Sequence, residues 1–300
     1  MKIRSISAAL AAALLLTGCF RDVHELDALK SVGYFNPVLN WSDLYNAGTP
    51  IRDLTLVIDG PDASFMTQFP SPRELACEPL EVPAGENTAL VVANVSEADG
   101  FSLAGLPPTK SGQAEVRLLA PRAVIPVSQQ VWAASCRFIV EKNRFSAPSM
   151  LLRGVLPLLQ VNMHNVPDDT EVTMVMENLA AGIILSATDT EGHAGAPDSR
   201  IGGDFVFGAM SARHPDASGR LLPTAAGQEF TRMQCFITQG GIRTGMNVET
   251  PRIEVGGQYV LNVDFDHLVV EMSLGSDTVV IRDWTSQGDP IDGDIFKPEA

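Results

Sequence analysis

The sequence has few of the residues on which reactive sites depend. Its 300 residues include 4 cysteines and 5 histidines, and aromatic residues make up 6% of the chain. The histidines lie far apart, and none has metal-ligand spacing such as H-E-x-x-H. The sequence contains no G-x-S-x-G, P-loop or G-x-G-x-x-G motif, which disfavours α/β-hydrolase, NTPase and dinucleotide-binding functions. We therefore predict no metal site, no cofactor and no enzymatic activity.

Basic residues are also scarce. The chain carries 21 Lys and Arg residues against 36 Asp and Glu residues, which gives a net charge of −15. Such a chain repels phosphate backbones, so nucleic-acid binding is excluded as the main function. Hydrophobic residues make up 45% of the sequence, which is enough for a packed core and excludes a wholly disordered chain.

Beyond residue 19 the sequence has no uncharged stretch of 18 residues, so its hydrophobic membrane signal lies at the N-terminus. Lys2 and Arg4 precede an apolar run at residues 6–16, which is typical of a secretory signal peptide. The run ends in Leu-Thr-Gly-Cys, the pattern of a bacterial lipobox. We predict cleavage between Gly18 and Cys19, acylation of Cys19, and anchoring of the mature chain to the outer membrane. The alternative is a plain signal peptide that contains a cysteine by chance.

Three cysteines remain after acylation of Cys19, so at most one disulfide forms. Cys235 lies in an apolar run, which predicts a buried and unreactive thiol. If a disulfide forms, Cys77 and Cys136 are the favoured pair.

Hydrophobic alternation along the body indicates β-strands rather than helices. Every second residue is apolar at 53–59, 171–177 and 259–265, and in the second of these stretches Val172, Met174 and Met176 are predicted to face the core. Gly275-Ser276 fits the two-residue loop of a hairpin, whereas residues 189–200 are predicted to form a polar loop. Further strands are predicted at 34–41, 88–95, 114–120, 131–141, 155–163, 182–188, 204–210, 229–237, 268–274 and 277–284.

Short strands separated by Gly, Pro, Asn and Asp turns are typical of β-sandwiches, and the length suits two of them. The predicted fold is therefore all-β, with two tandem β-sandwich domains after a lipoprotein signal peptide. The predicted divisions are a signal peptide at 1–18, a polar tether at 19–32, an N-terminal sandwich at 33–148, a C-terminal sandwich at 149–286 and a flexible acidic tail at 287–300.

In combination, motifs spread along most of the mature chain resemble the Bacteroidales lipoproteins related to fimbrillins. Residues 83–92, PAGENTALVV, are similar to the family's Pro-x-Gly lead into a central strand, with Thr88 where an aromatic residue is often seen. Residues 201–208, IGGDFVFG, are similar to a Thr-Gly-x-Phe-x-x-Phe-Gly stretch, with Gly203 at the matching glycine. The other points of resemblance are Cys19 with acidic residues soon after it, residues 38–42, 54–58 and 171–188, and the closing strands with Trp284.

The resemblance implies transthyretin-like, Greek-key sandwiches, an outer-membrane lipid anchor and assembly by strand exchange between subunits. A strand from one subunit would satisfy both the unpaired backbone groups and the apolar groove of another. The candidate segments are 31–41, with Tyr34 and Trp41, and 278–284, with Val279 and Trp284. The alternative is that both segments are ordinary edge strands within the subunit.

The leading functional hypothesis is a cell-surface lipoprotein that serves as an anchor, minor or tip subunit of a fimbria, with other fimbrial subunits as partners. The second hypothesis is a glycan-binding outer-membrane lipoprotein of a nutrient-uptake system, with carbohydrate as its ligand. It would need exposed rings such as Trp41, Trp132 and Trp284, and core packing is the default for Trp41 and Trp284, which end predicted strands. The third is a hydrolase whose paired carboxylates meet only in the folded chain.

Overall fold

The computed structural model describes residues 32–41, 50–61, 64–95, 101–105, 117–119, 129–188, 194–266, 269–274 and 277–283. In this part of the chain nearly all regular structure is β-strand, arranged in five sheets. The largest sheet belongs to the N-terminal half. Its strands, in spatial order, are β2 (Val38–Trp41), β11 (Ser149–Gly154), β9 (Trp132–Val140), β6 (Gly85–Ala93), β3 (Leu54–Asp59) and β4 (Ser64–Phe69).

A smaller sheet and one helix cover the inner face of this large sheet. The small sheet has the order β10 (Phe145–Ser146), β1 (Val32–Phe35) and β5 (Leu80–Pro83). The helix α1 (Pro72–Cys77) begins at Ser71, whose Oγ accepts a hydrogen bond from the Glu74 amide, and Pro72 occupies the first helical turn. Leu75 of the helix and Phe35 of β1 are fully buried in the first apolar core. This half is therefore a β-sandwich.

The C-terminal half is a second sandwich. Its five-stranded sheet has the order β17 (Asp216–Arg220), β12 (Leu158–His164), β20 (Gln258–Asp264), β21 (Val269–Leu274) and β22 (Asp277–Asp283). Its four-stranded sheet has the order β16 (Phe205–Ser211), β13 (Thr170–Glu177), β18 (Thr231–Gln239) and β19 (Ile242–Thr250). Side chains from both sheets meet in a second apolar core.

A fifth sheet, which we call the bridging sheet, joins the two halves by backbone hydrogen bonds. Its order is β15 (Ala194–Pro197), β14 (Gly182–Thr188), β8 (Arg117–Leu119) and β7 (Ser102–Ala104), so two strands come from each half. The second core also contains Val57, Leu90 and Val92, which lie on the outer face of the large N-terminal sheet. The two sandwiches therefore share apolar packing as well as a sheet.

The predicted all-β sandwich class is confirmed, and so are several strand faces. Val172, Met174 and Met176 of β13 are buried, with relative exposures of 0%, 0% and 1%. The strands predicted on either side of residues 275–276 are paired antiparallel, with Leu274 of β21 opposite Asp277 of β22, whereas the loop itself lies outside the described residues. Cys235 is buried as predicted.

Some predicted elements differ from the structure. The strand predicted at 34–41 is divided at Asn36-Pro37 into β1 and β2, which belong to different sheets. Part of the loop predicted at 189–200 forms β15. The strand predicted at 155–163 begins only at Leu158, because Pro157 precedes it. Cys77 and Cys136 are free, so the favoured disulfide is absent. The sequence analysis did not identify β4, β5, β7, β10, β11, β17, β19 or α1.

The domain division between residues 148 and 149 stays a prediction. Strand β11, which follows it, is hydrogen-bonded to β2 and β9 of the large N-terminal sheet, and β12 is the first strand of the C-terminal sandwich. A division between residues 154 and 158 would agree better with this pairing.

Candidate functional site: the sheet edges

The N-terminal segment lies alongside residues 143–152 over its whole described length. The amides of Tyr34, Asn36 and Val38 each donate a 2.9 Å hydrogen bond, to the carbonyl oxygens of Arg144, Ser146 and Pro148 respectively. The pairing is parallel in both β1 and β2. Since amides alternate between the two sides of a strand, the amide of Leu39 faces away from β11. Pro37, which has no amide hydrogen, also occupies an outward position.

Close packing fixes β1 in place. A Cβ atom at Gly33 would lie within 3.0 Å of the Glu141 and Arg144 carbonyl oxygens and of a Val140 methyl group. Only glycine allows this approach. The next residues alternate, so Phe35 packs against Phe138 in the core, whereas Tyr34 stacks on Phe145 with ring centroids 5.0 Å apart.

The predicted strand-exchange residues lie at different places. Tyr34 is in β1, which is paired on one side with β10 and on the other with β5. Trp41 ends β2, the edge strand of the large sheet, and Val279 is in β22, the edge strand of the five-stranded sheet. The structure does not bring these residues together. Gly18, Cys19 and Trp284 lie outside the described residues.

Strand β4 is a further edge, which the sequence analysis missed. It ends the large sheet on the side opposite β2. Natural edge strands usually carry charge, proline, a bulge or very short length as protection against pairing with other chains. Strand β4, SFMTQF, is six residues long, uncharged, free of proline and regular in its register with β3. Apolar and polar residues alternate only weakly in β4, so the hydrophobic pattern of the sequence did not predict this strand.

A buried glutamine fixes the segment that joins the sandwiches. Gln130 is 2% exposed, and its side-chain amide donates to the Leu156 carbonyl oxygen at 3.1 Å and accepts from the Leu156 amide at 3.0 Å. The guanidinium of Arg220 donates to the same carbonyl oxygen at 3.3 Å. The connection between the sandwiches is thus held by hydrogen bonds from both sides.

A buried carboxylate connects the halves a second time. Asp198 accepts hydrogen bonds from Arg200 Nη2 at 2.6 Å and from Arg117 Nη1 at 3.3 Å, and its side chain is 5% exposed. Arg117 belongs to β8 of the N-terminal half, whereas Asp198 follows β15. The hydrogen bonds from Arg200 lower the pKa of Asp198, against the opposing effect of burial. The carboxylate is therefore charged at neutral pH and acts as a bridge.

Two of the described thiols are shielded from solvent. Burial raises the pKa of Cys136 to about 11 and that of Cys235 to about 12, so both are protonated at neutral pH. His164 and His214 are exposed. Within the described ranges no group of three His, Cys, Asp or Glu residues could hold a metal ion, and no helix could cross a membrane. Trp132 is 2% exposed and belongs to the first core, so its ring is not available to stack on a sugar.

Comparisons with known proteins give matches by structure alone. No family model matches the sequence, and no curated protein is similar to it. A Bacteroides thetaiotaomicron protein described as a candidate polysaccharide-binding protein has a TM-score of 0.56 at 12% identity, over 83% of this chain and 98% of that one. The fimbrial anchor protein Mfa2 from Porphyromonas gingivalis has a TM-score of 0.51 at 10% identity, over 84% of this chain and 99% of that one.

At these identities the similarity concerns the fold. It extends over almost the whole length of both neighbours, so both halves of this chain and their order in sequence are matched. The predicted resemblance to Bacteroidales fimbrial proteins is confirmed at this level.

Proposed function

We propose that the chain is a cell-surface lipoprotein of the outer membrane that serves as an anchor, minor or tip subunit of a fimbria. The observation that carries the proposal is the fold, which matches a fimbrial anchor protein over 99% of that protein's length. The predicted lipid on Cys19 would hold the two sandwiches outside the cell. The role is structural rather than catalytic, and the partners are other fimbrial subunits.

Strand exchange would use the open edges of the sheets. Because β1 is hydrogen-bonded on both sides, β2 and β22 are the parts of the predicted exchange segments with an open side among the described strands. In this chain β1 and β2 are paired within their own sheets, so their own segment already occupies the place that a strand from another subunit would take. This supports a terminal position such as an anchor, where the subunit joins a neighbour through one edge.

The lipid anchor is tested by replacing Cys19. The Cys19→Ala variant should leave the membrane fraction, and the N-terminal peptide of the unmodified chain should carry acyl mass. Replacement of the buried Cys235 by Ala is the control, and should leave fractionation unchanged. Membrane association without acyl mass, or no difference between the two variants, would show that the anchor is wrong.

Assembly is tested by two neighbouring proline substitutions in β22. One of the amides of Val279 and Val280 faces β21, and the other faces the open edge. Proline at the outward position should preserve thermal stability but remove the chain from isolated surface fibres, as seen by immunogold electron microscopy. Proline at the inward position should also lower stability. Normal incorporation of a stable outward variant would exclude β22 as the exchanging edge.

Glycan binding is the second candidate, and the fold of the candidate polysaccharide-binding protein favours it. Tryptophan fluorescence titrated with host and plant polysaccharides distinguishes the two functions. The buried position of Trp132 predicts no response from that ring. A saturable change would favour sugar capture over fimbrial assembly.

A further inference from the structure

The two most exposed large apolar side chains of the described part lie on either side of one turn. Ile139 near the end of β9 is 70% exposed, and Phe145 at the start of β10 is 68% exposed. Between them residues 141–144 form a turn, closed by a hydrogen bond from the Arg144 amide to the Glu141 carbonyl oxygen at 3.0 Å. We call Tyr34, Lys142 and Phe145 the proximal surface, whereas Ile139 lies on the outer face of the large sheet, because Phe138 and Val140 on either side of it are buried in the first core.

The proximal surface lies where the chain arrives from its N-terminus. The amide of Asn143, within the turn, donates to the carbonyl oxygen of Val32 at 2.9 Å, and Val32 is the first described residue. The predicted lipid site, Cys19, lies 32 − 19 = 13 residues earlier. A fully extended chain of that length spans at most about 45 Å. A flexible coil of the same length averages about 20 Å.

A tether of this length holds the proximal surface close to the lipid to which it is attached. Tethering gives the surface an effective concentration on the order of millimolar, so weak contacts suffice for association. Tyr and Trp are enriched at the boundary between lipid and water because their rings are apolar and their tips polar, and Tyr34 has this character and stacks on the apolar ring of Phe145. Lys142, which is exposed, could reach lipid phosphates.

Local charge does not oppose contact between the proximal surface and lipid, although the whole chain carries a net charge of −15. Three basic side chains (Arg137, Lys142 and Arg144) and three acidic ones (Glu81, Glu86 and Glu141) lie on or directly opposite these strands, so the local sum is 3 − 3 = 0. Glu141 also forms an ion pair with Arg144 at 3.1 Å. Binding should therefore depend on apolar burial and weakly on salt.

From these observations we infer that the proximal surface inserts into the membrane interface and fixes the orientation of the two sandwiches above the bilayer. The inference rests on the lipid anchor of the proposed function. The membrane end of the molecule is then the end that carries the β9–β10 turn, and the C-terminal sandwich is held away from the lipid.

The test uses the full lipidated chain in phosphatidylcholine vesicles with and without bromine on the acyl chains. The Phe145→Trp variant adds a ring on the proximal surface, and Ile242→Trp is the matched control, because Ile242 is an exposed residue (55%) at the start of β19 in the C-terminal half. The fluorescence that each variant adds to the unmodified chain is compared between the vesicles. Bromolipid should quench Phe145→Trp and leave Ile242→Trp unchanged.

Flotation with the vesicles tests the anchor separately. If the chain does not float, the proposed lipid is wrong, and an N-terminal histidine tag at residue 19 on nickel-chelating lipid supplies the tether for the same comparison. No quenching of Phe145→Trp in a vesicle-bound chain, or equal quenching of both variants, overturns the inference. A fluorescence change of Phe145→Trp with polysaccharide in the absence of vesicles also overturns it, since the surface would then be a sugar site.

Discussion

Gly33 is the residue at which the N-terminal segment is most sensitive to substitution. A Cβ atom added there would lie within 3.0 Å of two backbone oxygen atoms, so an added methyl group must displace the β9–β10 turn or β1 itself. Gly33→Ala should therefore lower the free energy of unfolding by about 1–3 kcal/mol. It should also increase cleavage of residues 32–41 in limited proteolysis, because β1 would dissociate more often.

Gly208 offers the matched control for that substitution. A Cβ atom there would meet nothing within 4 Å, so Gly208→Ala should leave both stability and cleavage near the values of the unmodified chain. Equal effects of the two substitutions would mean that the close approach at Gly33 does not hold the first strand.

Asp198 predicts a pH dependence of stability. Its pKa is lowered in the folded protein by hydrogen bonds from Arg200, so its contribution is present above the pKa of an unfolded aspartate, about 4. That contribution is lost as the pH falls below about 4 through the folded pKa. Asp198→Asn should cost about 1–3 kcal/mol at pH 7, because charged hydrogen bonds to two arginines are removed.

Urea unfolding of both proteins between neutral and acidic pH measures this effect. The difference in the free energy of unfolding between the unmodified chain and Asp198→Asn should shrink in the acidic range. The exposed Asp216 gives the control, and Asp216→Asn should show little difference at any pH. A constant difference for Asp198→Asn across the range would contradict the proposed origin of the stabilisation.

At the scale of elements, the segment between β11 and β12 depends on the side chain of Gln130. Gln130→Ala leaves the Leu156 amide without its partner, whereas the carbonyl oxygen keeps Arg220. Loss of these buried hydrogen bonds should lower the free energy of unfolding by about 2–4 kcal/mol. Hydrogen exchange of the Leu156 amide should accelerate more than the global change in stability explains. Gln68→Ala, at an exposed position of β4, should change neither quantity.

The same elements show which features a sequence can predict. Strands β13 and β20 have one buried face, so strict alternation in the sequence identified them. Strands β15 (AGAP) and β17 (DASGR) have too few apolar residues for such a pattern, and they form because neighbouring strands supply backbone partners. The strand predicted at 34–41 missed the break at Pro37, and the change of sheet at that point depends on contacts more than 100 residues away in sequence.

The candidate site was predictable to a similar extent. The predicted Cys19 rests on a local motif, and the predicted exchange segment that contains Val279 falls in β22, which ends its sheet. Ile139, in contrast, belongs to an apolar run that resembles any core strand, and only the fold shows that its side chain faces outward. The bridging sheet joins residues about 65 positions apart, such as Arg117 and Ile184, and no local pattern indicates that pairing.

At the scale of the whole molecule, the bridging sheet and the shared core predict that both sandwiches unfold together. Two independent sandwiches would give two transitions, but here Leu118 of β8 is fully buried in the core of the C-terminal half. We expect one urea transition, with the same midpoint for the fluorescence of Trp132 in the first core and for hydrogen exchange of β20 in the second.

Leu118→Ala should separate these transitions, because it removes packing where the halves meet. It should lower the free energy of unfolding by about 2–5 kcal/mol, and the urea midpoints reported by the two probes should diverge. Leu56→Ala is the matched control, since Leu56 is also fully buried but lies in the first core alone. It should lower stability by a similar amount and first unfold the N-terminal sandwich. Two separate transitions in the unmodified chain would mean that the halves are coupled too weakly to unfold as one body.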